Sequence, residues 1–165
     1  MDQKHEIHLR MATVQDVSFL ADVVIRATLA QGRFPHDVDL VEYRTGYEDW
    51  TCETVLGNIP NCTLSVIEQN GNPIGRLRVL RNGLSITLAG IQLLPDFQNQ
   101  RIGSQLVEQL KQEADLKCIP LYIDVEKNNL NAQRFYKRLG CVIIGEDEKE
   151  YHLEYRSSDG GKQSK

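Results

Sequence analysis

Two asparagine–glycine turns separate three apolar segments in the middle of the chain, and they constrain its fold more than any other feature. The segments span residues 62–68, 74–80 and 84–94, and the turns are Gln69-Asn-Gly-Asn72 and Arg81-Asn-Gly83. Asn-Gly favours two-residue hairpin turns, because both residues tolerate positive φ. The spacing therefore predicts an antiparallel meander of three strands.

The periodicity of apolar residues predicts the elements on either side of the meander. Further strands are expected at residues 6–11, 121–125, 141–144 and 151–155. Helices are expected over residues 17–28, from Asp37 or Asp39 through Trp50, over 102–114 and over 132–139. The helix after the third meander strand is a crossover, so that strand and the next should be parallel. The order β-α-α-β-β-β-α-β-α-β-β predicts a mixed α/β fold with a mostly antiparallel sheet flanked by helices.

Length and composition favour one domain and exclude two kinds of partner. The chain has 165 residues, 41% of them hydrophobic, and a net charge of −4. We predict a single domain over residues 1–156 and a disordered tail over 157–165, which has no apolar residue to anchor it. Neither nucleic acid nor a membrane is an expected partner, since there is no basic stripe and no apolar stretch of about 20 residues.

The four cysteines are expected to be reduced thiols of a cytoplasmic protein. No two of them form a Cys-x-x-Cys pair and no histidine lies near them at ligand spacing. No metal site is therefore expected.

The junction between the third meander strand and the following helix is the first candidate binding site. The helix N-terminus and the unpaired N–H groups before it favour an anion such as a pyrophosphate. Gly103 would let the backbone approach that ligand closely. The signal alone is weak, because many such junctions bind nothing.

Two segments of the second half resemble one family. Leu93-Leu-Pro followed by Gln98-Asn-Gln-Arg-Ile-Gly103-Ser is similar to the Gln/Arg-x-x-Gly-x-Gly/Ala signature of the GNAT superfamily of acyl-CoA-dependent N-acetyltransferases. Asn129-Leu-Asn-Ala132, continuing through Tyr136 to Gly140, resembles that family's Asn-x-x-Ala-x-x-x-Tyr-x-x-x-Gly segment. Either motif alone could be chance, whereas both at this spacing are specific. Arg101 departs from the signature, since the family usually has its first loop glycine there.

The resemblance implies a coenzyme site and a GNAT-like fold. In this family the strand before the loop runs beside the pantetheine arm, and it separates from the next strand so that the thioester enters the gap. The implied acetyl-CoA-binding residues are Ile91, Leu93 and Leu94 on the strand, Gln98, Asn99, Gln100, Arg101, Ile102, Gly103 and Ser104 in the loop, and Asn129 and Ala132 downstream. An N-terminal cap is an equally good reading of Asn129, and the two roles are compatible.

Tyr136 is the candidate general acid. A phenol that donates to the departing thiolate would stabilise its charge. Periodicity alone favours a core tyrosine, and only the resemblance favours the acid.

The base is harder to identify. A primary amine is mostly protonated at neutral pH, because its pKa is about 10.4. Asp124 and Glu126 lie on one face of the strand beside the expected gap, and Asp124 is the better candidate. Glu42, His36 and His152 are weaker candidates, and a water chain would leave no trace in the sequence. The third meander strand contains no acid, which excludes a base there.

An aromatic stripe on the second helix is the candidate acceptor surface. Tyr43, Tyr47 and Trp50 fall on one face with helical spacing. Core packing is the favoured reading, and contact with an apolar or cationic acceptor is the alternative. The arginines at 33, 44, 76 and 78 could pair with an acceptor carboxylate, although an exposed charge is favoured for each.

The sequence thus predicts an N-acetyltransferase that moves an acetyl group from acetyl-CoA directly to a primary amine. A small-molecule acceptor is favoured over a peptide, and acetyl-CoA and the amine are the expected partners. The alternative is a non-catalytic acyl-CoA-binding module of the same fold. A homodimer stays open, since dimers are frequent in such families but no sequence feature specifies one.

Overall fold

The computed structural model describes residues 6–156 of the chain. The predicted tail at 157–165 lies outside the described residues. None of the described helices is both long and apolar enough to cross a bilayer.

The described elements follow the predicted order. The strands are β1 (Ile7–Met11), β2 (Cys62–Gln69), β3 (Asn72–Arg81), β4 (Ile86–Leu93), β5 (Leu121–Glu126), β6 (Cys141–Glu146) and β7 (Glu150–Tyr155). The α-helices are α1 (Val17–Ala30), α2 (Leu40–Val55), α3 (Ile102–Lys117) and α4 (Leu130–Arg138). Short 3-10 turns precede α1 and follow β4.

Local signals place several of these boundaries. Asp39, one of the two predicted starts of α2, accepts hydrogen bonds from the N–H groups of Val41 and Glu42. Asn70 and Gly71 both have positive φ between β2 and β3, as a two-residue hairpin turn requires.

The seven strands form one mixed sheet in the order β1-β2-β3-β4-β5-β7-β6. The predicted meander is present as β2-β3-β4, and β4 and β5 are parallel while every other neighbouring pair is antiparallel. The fold class predicted from the sequence is therefore confirmed.

The two faces of the sheet carry different helices. Leu77 and Val79 of β3 belong to a large apolar core with buried residues of α3, such as Leu106 and Val107. On the other face, Leu64 and Val66 of β2 pack with Leu20 of α1. Because side chains alternate along a strand, the neighbouring residues Arg76 and Arg78 face α1 and α2.

The pairing of β4 with β5 stops after three residues. Ile86, Thr87 and Leu88 pair with residues 121–123, and the register then breaks at Ala89, which has no counterpart on β3. The extra residue is a bulge, which bends a strand away from its neighbour. The second half of β4 and the end of β5 therefore separate and leave a cleft in the sheet.

Candidate functional site

A cavity of about 850 Å³ lies beside the separated part of β4. Its walls are the end of α1 and the residues just after it, residues 91–93 of β4, the loop into α3, and one face of α4. All predicted coenzyme-binding residues line it except Leu94 and Gln100. The side chain of Gln100 instead donates to the carbonyl of Asp96 at 3.2 Å.

The loop into α3 presents a run of main-chain donors. The first hydrogen bond of the helix joins the N–H of Gln105 to the carbonyl of Arg101. None of the N–H groups of residues 99–104 donates to another residue within 6–156. Free N–H groups at a helix N-terminus form an anion site, because the helix dipole adds to their partial charges.

Arg101 adopts the backbone conformation that a glycine would use at this point. It is the residue before α3 and lies in the left-handed region at φ 63° and ψ 13°, and Asn99 also has a positive φ of 61°. Left-handed backbone costs a residue with a side chain about 1 kcal/mol or more. The departure from the family signature therefore preserves the path of the loop and adds a cationic side chain.

The cavity is basic although the chain is acidic. Arg33, Arg101, Arg134 and Arg138 line it, and no aspartate or glutamate does. A polyphosphate group fits this charge and the free N–H groups together. Arg134 and Arg138 were not among the residues predicted from the sequence, although their spacing of four residues on α4 puts them on one helix face within the second motif.

Asn129, just before α4, and Tyr136 within it both line the cavity. Asn129 caps the helix, since its side-chain oxygen accepts from the N–H of Ala132 at 3.2 Å. Tyr136 is 5% exposed, and its hydroxyl has no hydrogen-bond partner within residues 6–156. Burial raises the pKa of Tyr136, and nearby Cys141 raises it further. The phenol is therefore a protonated donor at neutral pH.

Asp124 does not line the cavity, although it is the first residue of β5 beyond the last pair with β4. Its carboxylate bonds Nδ1 of His152 on β7 at 2.8 Å, and Nε2 of that ring lies 3.2 Å from Asp147. The hydrogen bond to Asp124 is the largest cause that raises the pKa of His152. Glu126 pairs with Arg33, which lines the cavity.

The aromatic stripe of α2 lies outside the cavity. Tyr43 and Tyr47 are stacked with ring centroids 5.9 Å apart, and Trp50 follows at 5.6 Å from Tyr47. None of the three rings belongs to the apolar core clusters, and Tyr47 and Trp50 instead contact the guanidinium of Arg76. The expectation that Arg76 is an exposed charge is wrong, because Arg76 is 2% exposed.

Comparison of the sequence with family models gives one match. The model described as "Acetyltransferase (GNAT) family" matches residues 27–141. No sequence among the curated proteins matches the chain significantly.

Solved structures share the fold at low sequence identity. An N-acetyltransferase named paia from Thermoplasma acidophilum, in complex with coenzyme A, is 16% identical with a TM-score of 0.76, covering 92% of this chain and 99% of that one. Apo-form YjaB from Escherichia coli is 24% identical with a TM-score of 0.66, covering 93% and 99%. An acetyltransferase from Thermus thermophilus is 16% identical with a TM-score of 0.69, covering 91% and 97%.

Proposed function

Since this chain belongs to the acetyltransferase (GNAT) family and is therefore an acyltransferase that uses acetyl-CoA, we propose that it transfers the acetyl group directly to the primary amine of a small molecule. The observation that carries the proposal is that one cavity is lined both by residues with free N–H groups, Asn99 and residues 101–104, and by Tyr136. A site with an anion cradle at one end and a buried phenol on its wall suits a phosphorylated thioester whose sulfur departs as a thiolate.

The coenzyme would be held mainly by the backbone. The N–H groups of residues 99–104 would bind the pyrophosphate, with Arg101 and Arg134 supplying charge. Residues 91–93 of β4 would run beside the pantetheine arm, because the pairing of β4 with β5 stops at Leu88, just before the bulge at Ala89. The amide nitrogen of Asn129 would donate to the coenzyme arm, while its oxygen caps α4.

Tyr136 is proposed as the acid. Its pKa is raised above the usual value of 10.0, whereas a thiol has a pKa of about 8.5. The phenol is thus the weaker acid, and it would stabilise the developing thiolate chiefly by donating a hydrogen bond. Such a bond acts where charge develops in the transition state and so lowers the barrier.

Asp124 is proposed as the base, acting directly or through water. Its support is its position at the point where β4 and β5 begin to separate and its hydrogen bond to His152. The hydrogen bond to His152 fixes the orientation of the carboxylate.

Thiol release from acetyl-CoA, measured against polyamines, aminoglycosides, amino acids and N-terminal peptides, tests the proposal. We expect turnover with a small amine and a loss of kcat of about 10²-fold or more in Tyr136→Phe, with the affinity for acetyl-CoA unchanged. Unchanged turnover in Tyr136→Phe would refute the role of Tyr136 as the acid. If no amine causes thiol release, the alternative of a non-catalytic acyl-CoA-binding module would be favoured.

The base is tested with a matched pair of carboxylates. Asp124→Asn should lower kcat/KM about 10²-fold and change its pH profile, while Glu126→Gln, two residues along the same strand face, should keep the profile of the wild type. Equal pH profiles for wild type and Asp124→Asn would instead mean that a water chain, and not Asp124, takes the proton of the amine.

A further inference from the structure

Two arginines on β3 carry buried charge without a counter-ion in the described part of the chain. Arg76 and Arg78 lie on the sheet face covered by α1 and α2, and neither forms an ion pair with a carboxylate among residues 6–156. Two other arginines that the sequence suggested for an acceptor carboxylate are satisfied within the chain. Arg33 pairs with Glu126, and Arg44 pairs with Asp22 and Glu48.

Burial makes the missing counter-ion costly. Arg76 is 2% exposed and Arg78 is half-buried, and the Nε atoms of both are enclosed without a hydrogen-bond partner. Burial lowers the pKa of Arg76, although its guanidinium stays charged at any ordinary pH. A buried charge without a partner destabilises a fold by several kcal/mol, so such charges are usually paired or serve a ligand.

The surroundings of the two guanidiniums hold them in place without neutralising them. Trp50 packs on both, with its ring centroid 4.6 Å from Cζ of Arg78 and 5.7 Å from Cζ of Arg76. Tyr47 covers Arg76 at 5.4 Å, and Gln92 accepts a hydrogen bond of 2.7 Å from its Nη1. Aromatic faces and a neutral amide stabilise a cation only partly.

Gly90 of β4 leaves room for the guanidinium of Arg76, because it has no side chain. A Cβ at Gly90 would lie 2.8 Å from Nη1 of Arg76, closer than any van der Waals contact. Since Arg76 is fixed by Gln92 and by two rings, it has no free direction in which to retreat. Gly90 therefore places the guanidinium directly against the strand that borders the cavity.

We propose that Arg76 and Arg78 bind an oxyanion, a carboxylate or a phosphate, carried by the amine that accepts the acetyl group. Two planar guanidiniums two residues apart on one strand face match the paired oxygens of such a group. Gln92 connects this cluster to the transfer site, since its side chain bonds Arg76 and it also lines the cavity. The inference rests on the proposed function, because it names the acceptor of that same reaction.

The coenzyme phosphates are a poorer match for these arginines. Arg76 and Arg78 do not line the cavity that contains the loop into α3, and α2 rather than α3 covers them. The two anion sites should therefore respond to substitution independently.

Trp50, the only tryptophan of the chain, is a built-in reporter for the site. The full-length protein is titrated with glutarate, with inorganic phosphate and with neutral glutaramide at constant ionic strength, and Trp50 fluorescence is followed. We expect a saturable change with the anions and none with the amide. Arg78→Gln should raise the anion Kd about tenfold or more, Arg78→Lys less, and Arg81→Gln, a control on the same strand paired with Glu113, should bind like the wild type.

The preferred anion identifies the acceptor class. Tighter binding of phosphate than of glutarate favours a phosphorylated amine, and the reverse order favours an amino acid or another carboxylate-bearing amine. A response to glutaramide equal to that for glutarate, or an unchanged Kd in a folded Arg78→Gln protein, would overturn the proposal.

An activity measurement separates this inference from the proposed function. Matched acceptors, each with and without an anionic group, are compared by thiol release, and Arg78→Gln should raise KM for the anionic member about tenfold while leaving the neutral member unchanged. Equal effects on both members would count against the oxyanion role. If no acceptor releases thiol, the transferase proposal fails and the fluorescence titration alone decides whether the anion site exists.

Discussion

The side of the molecule proposed to bind the coenzyme (the coenzyme side) and the side proposed to bind the acceptor (the acceptor side) meet at β4, yet they present charge to a ligand in different ways. The coenzyme side, formed by residues 98–104 and α4, offers free main-chain N–H groups and arginines that border an open cavity. The acceptor side, formed by the aromatic stripe of α2 with Arg76 and Arg78, offers side chains packed under rings. The first depends on a local turn of the chain, and the second depends on how distant segments pack.

The largest difference between the two sides should appear in stability. Trp50→Ala removes the ring that covers both arginines and should lower the free energy of unfolding by about 3 kcal/mol, whereas acetyl-CoA affinity should not change. Urea denaturation and a coenzyme titration measure the two quantities. Trp50→Phe keeps an aromatic face and should cost less, and a loss of coenzyme affinity in either variant would show that the two sides are coupled.

At the loop into α3, we expect a substitution to lower the affinity for acetyl-CoA and to leave the free energy of unfolding nearly unchanged. A Cβ at Gly103 would make only an ordinary contact of 3.6 Å with the Phe135 ring, so Gly103→Ala should leave the free energy of unfolding within about 1 kcal/mol of wild type. The added methyl group lies where the backbone should approach the coenzyme, and the affinity should fall about tenfold, or ~1.4 kcal/mol.

A second helical glycine provides the control for that measurement. A Cβ at Gly46 in α2 would meet nothing within 4 Å, so Gly46→Ala should leave acetyl-CoA affinity unchanged. Equal affinities for Gly103→Ala and wild type would mean that the coenzyme does not approach the start of α3.

Each arginine of the cavity should contribute less to acetyl-CoA affinity than the close backbone approach at Gly103. Arg134 borders the cavity and is exposed, so Arg134→Gln should weaken acetyl-CoA binding about threefold, or ~0.7 kcal/mol, and should reduce its salt dependence. Calorimetric titration at two salt concentrations measures both. Arg26→Gln on α1, outside the cavity and beside Asp22, should match the wild type at both concentrations, and a salt slope unchanged in Arg134→Gln would remove that residue from the phosphate site.

The smallest effect concerns His152 on β7, opposite Asp124 of β5. Its pKa is raised above 6.5 mainly by the hydrogen bond to Asp124, so the stabilisation is fully present just below pH 6.5 and is lost as the pH rises through the raised value. The free energy of unfolding of wild type minus that of His152→Gln should therefore decrease above pH 6.5. A difference that grows with pH would mean that the ring is neutral in the folded protein.

The sequence predicted the coenzyme side better because its signals are local. The loop motif, the cap at Asn129 and the crossover between β4 and β5 each depend on residues close in the chain, and the structure has all three features. The positive φ of Arg101 follows from the same motif, in which a glycine is usual.

The acceptor side depends on contacts that no local pattern reveals. Alternation puts Arg76 and Arg78 on one face of β3, but the face they share and the rings that cover them are set by the packing of α2, over 20 residues away in the chain. The partner of Asp124 likewise depends on the register between β5 and β7, which brings His152 opposite it. These features required the three-dimensional structure.

The contact between Gly90 and Arg76 restricts the order in which the two positions can change. As long as the guanidinium fills the space above Gly90, any side chain at 90 collides with it. A smaller residue at 76 removes that barrier, so the cost of Gly90→Ala should be lower in an Arg76→Gln background. In a lineage of such proteins, loss of the arginine would thus precede the first substitution at position 90.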